Sequence, residues 1–223
     1  MLEISNWKVY DLEESINDCR YSMMEEIPEQ IDFKKSLKRA KKLAKCPTSS
    51  GECNFLCGIR VAYDIKYPQY ISPELQRYHF LDIVTSQSKM HKLIKMDLHK
   101  CCNKYVSKEV LDVIQKAINK FEYINEWYME GDGHKQSFTL RNGEILVANN
   151  KQEALYYAWM NIISNCPLGL ELTMRCTTNY LQLRTIYHQR KQHKLKEDWG
   201  AYCTWIESLP YSKEFITIEN VNN

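Results

Sequence analysis

Glycine and proline are scarce in this chain, at 7 and 6 of 223 residues. With so few glycines there is no Gly-rich phosphate loop, and no stretch is repeated or of low complexity. Long apolar runs are missing too: nothing approaches the roughly 18 consecutive apolar residues of a membrane span. An excess of one charge is also absent. Thirty Lys and Arg stand against 28 Asp and Glu, a net charge of +2. Bulk charge that small gives no argument for a nucleic-acid partner. The opening stretch, MLEISNWKVYDLEESIND, is polar and acidic, unlike a signal or transit peptide. These absences lead to the expectation of a cytoplasmic protein, in a reducing compartment and off the membrane.

What is present is ordinary for a globular chain: 44% hydrophobic, 26% charged and 12% aromatic residues. A chain of this length can bury one sizeable core. Cysteine is frequent, at nine residues. An odd number without a secretory leader argues against a disulfide framework. Cys53 and Cys57 have CxxxC spacing, and Cys101 and Cys102 are adjacent with His99 nearby, but no second pair completes a zinc pattern. Scattered buried thiols, and no metal, are expected.

The periodicities predict a mixed chain. A short strand around Trp7–Tyr10 leads into a helix from Leu12 to about Met24, capped by Asp11 with Glu14 at the capping-box position. Lys34 to Lys45 reads as a strongly basic helix. FLCGIRVAYDIKY, residues 55–67, alternates as a strand that presents Ile59, Val61, Tyr63 and Ile65 to one side. Ser72 and Pro73 open a helix running toward Val84. Lys108–Met129 is a long amphipathic helix, and Asn142-Gly143 signals a hairpin with a type I′ turn within 138–147. A helix over 152–165 precedes a strand over 170–177. Thr177 or Thr178 then caps a helix from Asn179 to about Gln192, and a last helix covers Asp198–Leu209.

Two stretches hold polar groups that can converge. The first is Glu74, Arg77, His79, Asp82, Ser86 and Ser88. An arginine near a helix start makes an anion site. The second is NYLQLRTIYHQRKQHK, residues 179–194. There Leu183, Ile186, Tyr187 and Arg190 share a face, and Arg184, His188 and Lys191 share another. Arg190 falls at the edge of the apolar face, where a guanidinium can clamp a carbonyl or phosphate, or form a surface salt bridge. No Ser/His/Asp arrangement is compelling, so no catalytic side chain is assigned.

In their order these stretches resemble the flavin-dependent thymidylate synthases. NWKVYDLEESINDCRYSM is similar to the family's opening strand and helix. SLKRAKKLAK, SSGECNFL and GIRVAYDIKYP come next as its helix, its Gly-His loop and its strand ending in Pro. Glu74 stands at the family's glutamine, and Arg77 opens its R-H-R-x-x-S signature. CPLGLELTMRCTTNYLQLRTIYHQR matches the C-terminal layout. The likeness covers roughly residues 7–93 and 152–210. It implies an α+β fold with a mostly antiparallel sheet flanked by long helices, in one domain over residues 1–223 with an unmatched insertion around 94–150. It also implies a pyrimidine deoxynucleotide such as dUMP, held by Arg77, Ser88, Arg190 and Glu74, and FAD touched by His79, Tyr78 and Asn179. NADPH and methylenetetrahydrofolate would join if the chain methylates, and family members are homotetramers with sites shared between subunits.

The departures are specific. Tyr78 and His79 replace the signature's His and second Arg, Ser86 its Glu and Met90 its last Arg. Ser88 fits with one inserted residue. Glu52 stands for the loop His, Ile163 for the Arg before Leu-Pro, and Leu181 and Thr185 for two polar positions of the second motif. Because that family supplies charge stabilisation rather than a nucleophile, these changes fall on catalysis itself. Three readings are open: an active relative, a non-catalytic nucleotide-binding or assembly relative, and, less favoured, a nucleic-acid binder using Lys34–Lys45 and Arg184–Lys196.

Overall fold

The computed structural model describes residues 2–128 and 135–218. In chain order its elements are β1 (Glu3–Tyr10), α1 (Leu12–Asp18), α2 (Phe33–Leu43), α3 (Phe55–Gly58), β2 (Arg60–Pro68), α4 (Ser72–Leu75), β3 (Asp82–Ser86), α5 (Lys89–Lys92), α6 (Leu98–Cys101), α7 (Lys108–Trp127), β4 (Ser137–Thr139), β5 (Ile145–Val147), α8 (Lys151–Asn165), β6 (Glu171–Asn179), α9 (Tyr180–Arg190), α10 (Lys196–Ser208) and α11 (Ser212–Phe215). The chain forms two compact units. One comprises Met1–Tyr67, Ile71–Ser86 and Thr173–Asn223; the other comprises Pro68–Tyr70 and Gln87–Leu172.

The first unit is built on a sheet of strand order β1-β2-β6-β3, with β1 antiparallel to β2 and β3 antiparallel to β6. The expected alternation holds: Val61, Tyr63 and Ile65 of β2, and Ile59 just before it, are fully buried. Against this face α10 lays Trp199, Tyr202 and Trp205, all buried. Tyr63 and Trp205 rings lie 4.7 Å apart, and the Tyr63 and Tyr202 hydroxyls meet at 2.5 Å. That hydrogen bond gives each of the two buried phenol oxygens a polar partner in an apolar core.

The β1–β2 register shifts between Ser5 and Lys8, where Asn6 takes a left-handed φ of 46°. A non-glycine residue there needs support. Asn6 Nδ2 donates to Asp64 Oδ2 (3.0 Å), and Arg175 Nη1 donates to both Asn6 O (2.7 Å) and Asp64 Oδ1 (3.0 Å).

Local expectations fail at four places here. The first helix ends at Asp18, and Asp11 makes no side-chain cap, because its backbone is left-handed (φ 55°). Residues 55–58 form a helical turn rather than strand. A Cβ on Gly58 would collide with Ser15 Oγ, so glycine is what permits this close approach to α1. The helix opened by Ser72-Pro73 stops at Leu75. The β-branched run Ile83-Val84-Thr85 then pairs with β6 as an exposed edge strand. The cap of α9 is Asn179 rather than Thr177 or Thr178, since β6 continues through both threonines and Thr178 Oγ1 donates to Phe80 O (2.7 Å).

In the second unit α7 and α8 pack on each other and carry the β4–β5 hairpin. Its core gathers Ile124, Phe138, Ala148, Ala154 and Ala158. The hairpin corrects the expected type I′ turn. Only Gly143 has positive φ (85°), and Gly143 N bonds Leu140 O (3.0 Å), so the loop is a type I turn with a left-handed glycine after it. Asn150 Oδ1 accepts from Glu153 N (2.9 Å) while Glu153 Oε2 accepts from Asn149 N (2.8 Å), a reciprocal cap that starts α8.

The Asp64 carboxyl is held below its usual 3.8, first by the Asn6 hydrogen bond and then by Arg175. A lowered folded pKa means the stabilisation is complete above 3.8 and lost as pH falls through the folded value. Asp64→Asn is expected to lower the urea midpoint at neutral pH. The gap from the unsubstituted chain should close as pH drops below 3.8, measured by circular dichroism.

Candidate functional site

Three of the seven candidate residues converge in the first unit. Glu74 lies on α4, Tyr78 comes shortly after it, and Arg190 ends α9. Arg190 Nη1 sits 3.1 Å from Glu74 Oε2, and Arg190 Nε donates to the Tyr78 hydroxyl at 2.8 Å. The guanidinium carbon lies 4.5 Å from the centre of a Trp199 ring, a stacking distance that suits a cation on a π face. Trp199 Nε1 donates to Glu74 Oε2 at 2.7 Å, and His193 Nε2 lies 3.6 Å from Glu74 Oε1. The Tyr78 hydroxyl donates in turn to Gln189 Oε1 (3.1 Å). Burial raises the Tyr78 pKa, an effect only partly offset by the hydrogen bond from Arg190.

The cluster is half-buried: 14% of the Arg190 side chain and 26% of Glu74 are exposed. At that depth a guanidinium needs a partner, and Glu74 provides it. The result is a charge-matched pair, not a free cation. Trp199, His193 and Gln189 were not among the sequence candidates. A tryptophan in an acidic first helical turn beside a histidine carries no motif, and only folding brings it over residue 190.

The other candidates make different contacts. Arg77 and His79 are exposed, and among the described residues Arg77 has neither ion pair nor hydrogen bond. Asn179 spends its Oδ1 on Gln182 N (2.8 Å) as the α9 cap, and also lines a cavity of about 370 Å³ with Tyr10, Arg60, Phe80 and Asp82. Ser88, in the second unit, caps α5 by accepting from His91 N (3.3 Å). The face expected to present Arg184 with His188 and Lys191 is corrected. Arg184 is 2% exposed and donates from Nη1 to Ala44 O (2.7 Å), closing the C-terminus of α2. Its place in the core results from Leu183 and Ile186 packing inward on either side.

The loop in the position of the Gly-His loop lines a cavity of about 630 Å³ through Ser50, Gly51, Glu52 and Asn54. Ser22 and Arg39 also line it. Arg39 Nε is buried there without a hydrogen-bond partner among the described residues. That single cation stands against two lining carboxylates, Asp18 and Glu52. The Asn179 cavity sets Arg60 against Asp82. Neither cavity offers the net positive charge that the pyrophosphate of FAD requires, so within one chain these residues do not fit that cofactor.

Burial raises the pKa of Cys19 and Cys53, and that of Cys176 is pushed up to about 12, so these thiols are poor nucleophiles. Among the described residues no three His, Cys, Asp or Glu side chains gather as a metal site.

No protein-family model matches the sequence, and no curated protein matches it. Solved structures do match. Thymidylate Synthase X (ThyX) from Helicobacter pylori, solved with FAD and dUMP, superposes with a TM-score of 0.57 at 12% identity over 100% of both chains. A second structure of that flavin-dependent enzyme with FAD and dUMP gives 0.54 at 14%, over 96% of this chain and 97% of that one. The UMP/dUMP methylase PolB from Streptomyces cacaoi, bound with 5-Br dUMP, gives 0.55 at 12%, over 99% of this chain and 95% of that one. The α+β fold with its antiparallel sheet is therefore the one these nucleotide enzymes share.

Arg190 uses planarity and three directions at once, which an ammonium cannot reproduce. Arg190→Lys is expected to cost about 1–3 kcal/mol, read as a lower urea midpoint with an unchanged slope. Trp199 fluorescence should shift as its cation is withdrawn. A midpoint equal to that of the unsubstituted chain would mean the contacts contribute nothing.

Proposed function

We propose that this chain binds a pyrimidine deoxynucleotide of the dUMP type at the Arg190 cluster, and that it binds without methylating. One observation carries the reading: the arginine that the family resemblance assigns to the uracil nucleotide is held by Glu74 at 3.1 Å and stacked on Trp199. A guanidinium beside a carboxylate presents donors next to an acceptor. The imide edge of uracil, with N3–H between two carbonyls, is complementary to that pattern. Phosphate is not, because Glu74 repels it. Arg77, exposed and uncommitted, is the cation left for the phosphate. Of the residues that the resemblance assigns to flavin, Tyr78 then faces the nucleotide, through its bond to Arg190.

The absence of methyl transfer is a consequence of charge. The two cavities lined by Glu52 and by Asn179 do not suit the pyrophosphate of FAD, and without FAD, NADPH and methylenetetrahydrofolate have nothing to act through. The resemblance also implies a homotetramer with shared sites, so self-assembly is part of the proposal. Nine free thiols, raised in pKa where burial acts, suit a reducing, cytoplasmic setting. The nucleic-acid reading loses support, since Lys41 of the basic helix pairs with Glu214 (3.0 Å) and Arg184 is core.

Calorimetric titration of dUMP and deoxyuridine tests this. Glu74→Gln removes the repelling charge yet keeps an acceptor, so dUMP should bind about 5–30-fold tighter, the equivalent of roughly 1–2 kcal/mol. Deoxyuridine should be little changed. Arg190→Ala should lose both ligands. Equal dUMP affinity in Arg190→Ala, or formation of dTMP when FAD, NADPH and methylenetetrahydrofolate are supplied, would overturn the reading.

A further inference from the structure

A second cavity lies entirely in the second unit, within the stretch that the family resemblance leaves unmatched together with α8. It measures about 580 Å³, a size suited to a small organic ligand. Phe138, Leu146, Tyr157 and Met160 give it an apolar wall. Lys120 and Arg141 add two cations, and Asn161 and Asn165 add amides, with no carboxylate among the described lining residues.

Lys120 is the telling residue. Its ammonium sits 3.8 Å from the centre of the Phe138 ring and donates one hydrogen bond, to Ser137 O at 3.0 Å. An ammonium has three donors, so two remain, and neither the ring nor the carbonyl carries a full counter-charge. Desolvation lowers its pKa, and no acidic group compensates. Arg141, on the hairpin loop, is exposed and has no ion pair among the described residues. Tyr157 is held in place by donating to Glu153 Oε1 (2.7 Å), which anchors the aromatic wall to the α8 cap. The pocket thus combines an apolar lining with two cations, Lys120 seated on the Phe138 ring, and is built on a capped helix and a closed hairpin.

We propose that this cavity is a binding site for a small aromatic or branched apolar carboxylate. The anionic group would lie between Lys120 and Arg141, and the hydrocarbon body against Phe138 and Met160. The carboxylate supplies the charge Lys120 lacks, and the body covers apolar surface that is now open to water. This site is independent of the nucleotide reading, which concerns residues of the other unit.

The test uses the full chain and two probes of one shape, 2-naphthoate and its neutral counterpart 2-naphthalenemethanol, monitored by fluorescence and calorimetry. One naphthoate per chain is expected, with the alcohol at least tenfold weaker. Arg141→Gln, an exposed change that leaves folding intact, and Lys120→Met should each weaken naphthoate about five- to tenfold. Arg190→Ala should leave it unchanged, whatever becomes of dUMP. No saturable naphthoate binding up to millimolar concentration would overturn the site. So would equal affinity for the alcohol, indifference to Arg141→Gln, or loss in Arg190→Ala.

Discussion

A guanidinium brought halfway out of water must be compensated, and at Arg190 that requirement organises one end of the first unit. The ion pair to Glu74 ties the end of α9 to α4, the bond to Tyr78 ties it to the segment just beyond α4, and the stack on Trp199 ties it to α10. Arg190 also lies in the last turn of α9, where a cation meets the negative end of the helix. Removing Glu74 would strand a half-buried charge, at a cost of about 3–5 kcal/mol for a fully buried one and less here. The cluster is therefore structural before it is anything else, and any ligand that binds there must exchange with contacts already made.

That constraint separates fold from chemistry. The same α+β fold serves enzymes solved with FAD and dUMP and a UMP/dUMP methylase. A fold carries function only through the groups grafted onto it. In this chain a carboxylate occupies the position where the family resemblance expects a glutamine, and it faces the arginine expected to grip the ligand. Glu52 likewise brings negative charge to the cavity lined by the loop that resembles a Gly-His loop. Both changes push in one direction: they favour neutral, hydrogen-bonding partners over phosphates and pyrophosphates.

Much of the sheet was legible in the sequence because burial on one face imposes a period of two. Ile59, Val61, Tyr63 and Ile65 are buried as that period requires. The long helices α7 and α8 were legible for the same reason at a period near 3.6. Segment ends were harder. Ser72-Pro73 is a strong helix start, yet the path of the chain beyond Leu75 is decided by strand pairing with β6, a contact about ninety residues away. Asn142-Gly143 marks a turn, but the loop length selects which one. Convergence of Glu74, Tyr78 and Arg190 could be suspected from two distant motifs. Their mutual neutralisation could not, because it depends on Trp199 and on distances that spacing does not encode.

Arg184, Arg190 and Lys120, three of the cations that the fold draws at least partly below its surface among the described residues, show how differently the same cost is met. Arg184 goes deepest and is answered by a helix C-terminal carbonyl, Ala44 O, where the backbone dipole already concentrates negative charge. Arg190 is answered by a full carboxylate and needs nothing more. Lys120 is answered by a ring face and one carbonyl, which together offer partial charges only. A ligand anion gains least where a carboxylate is already in place and most where the protein has left the charge uncompensated. By that measure the cationic wall of the second unit is the better anion receptor, and the Arg190 cluster is suited to reading the edge of a neutral base.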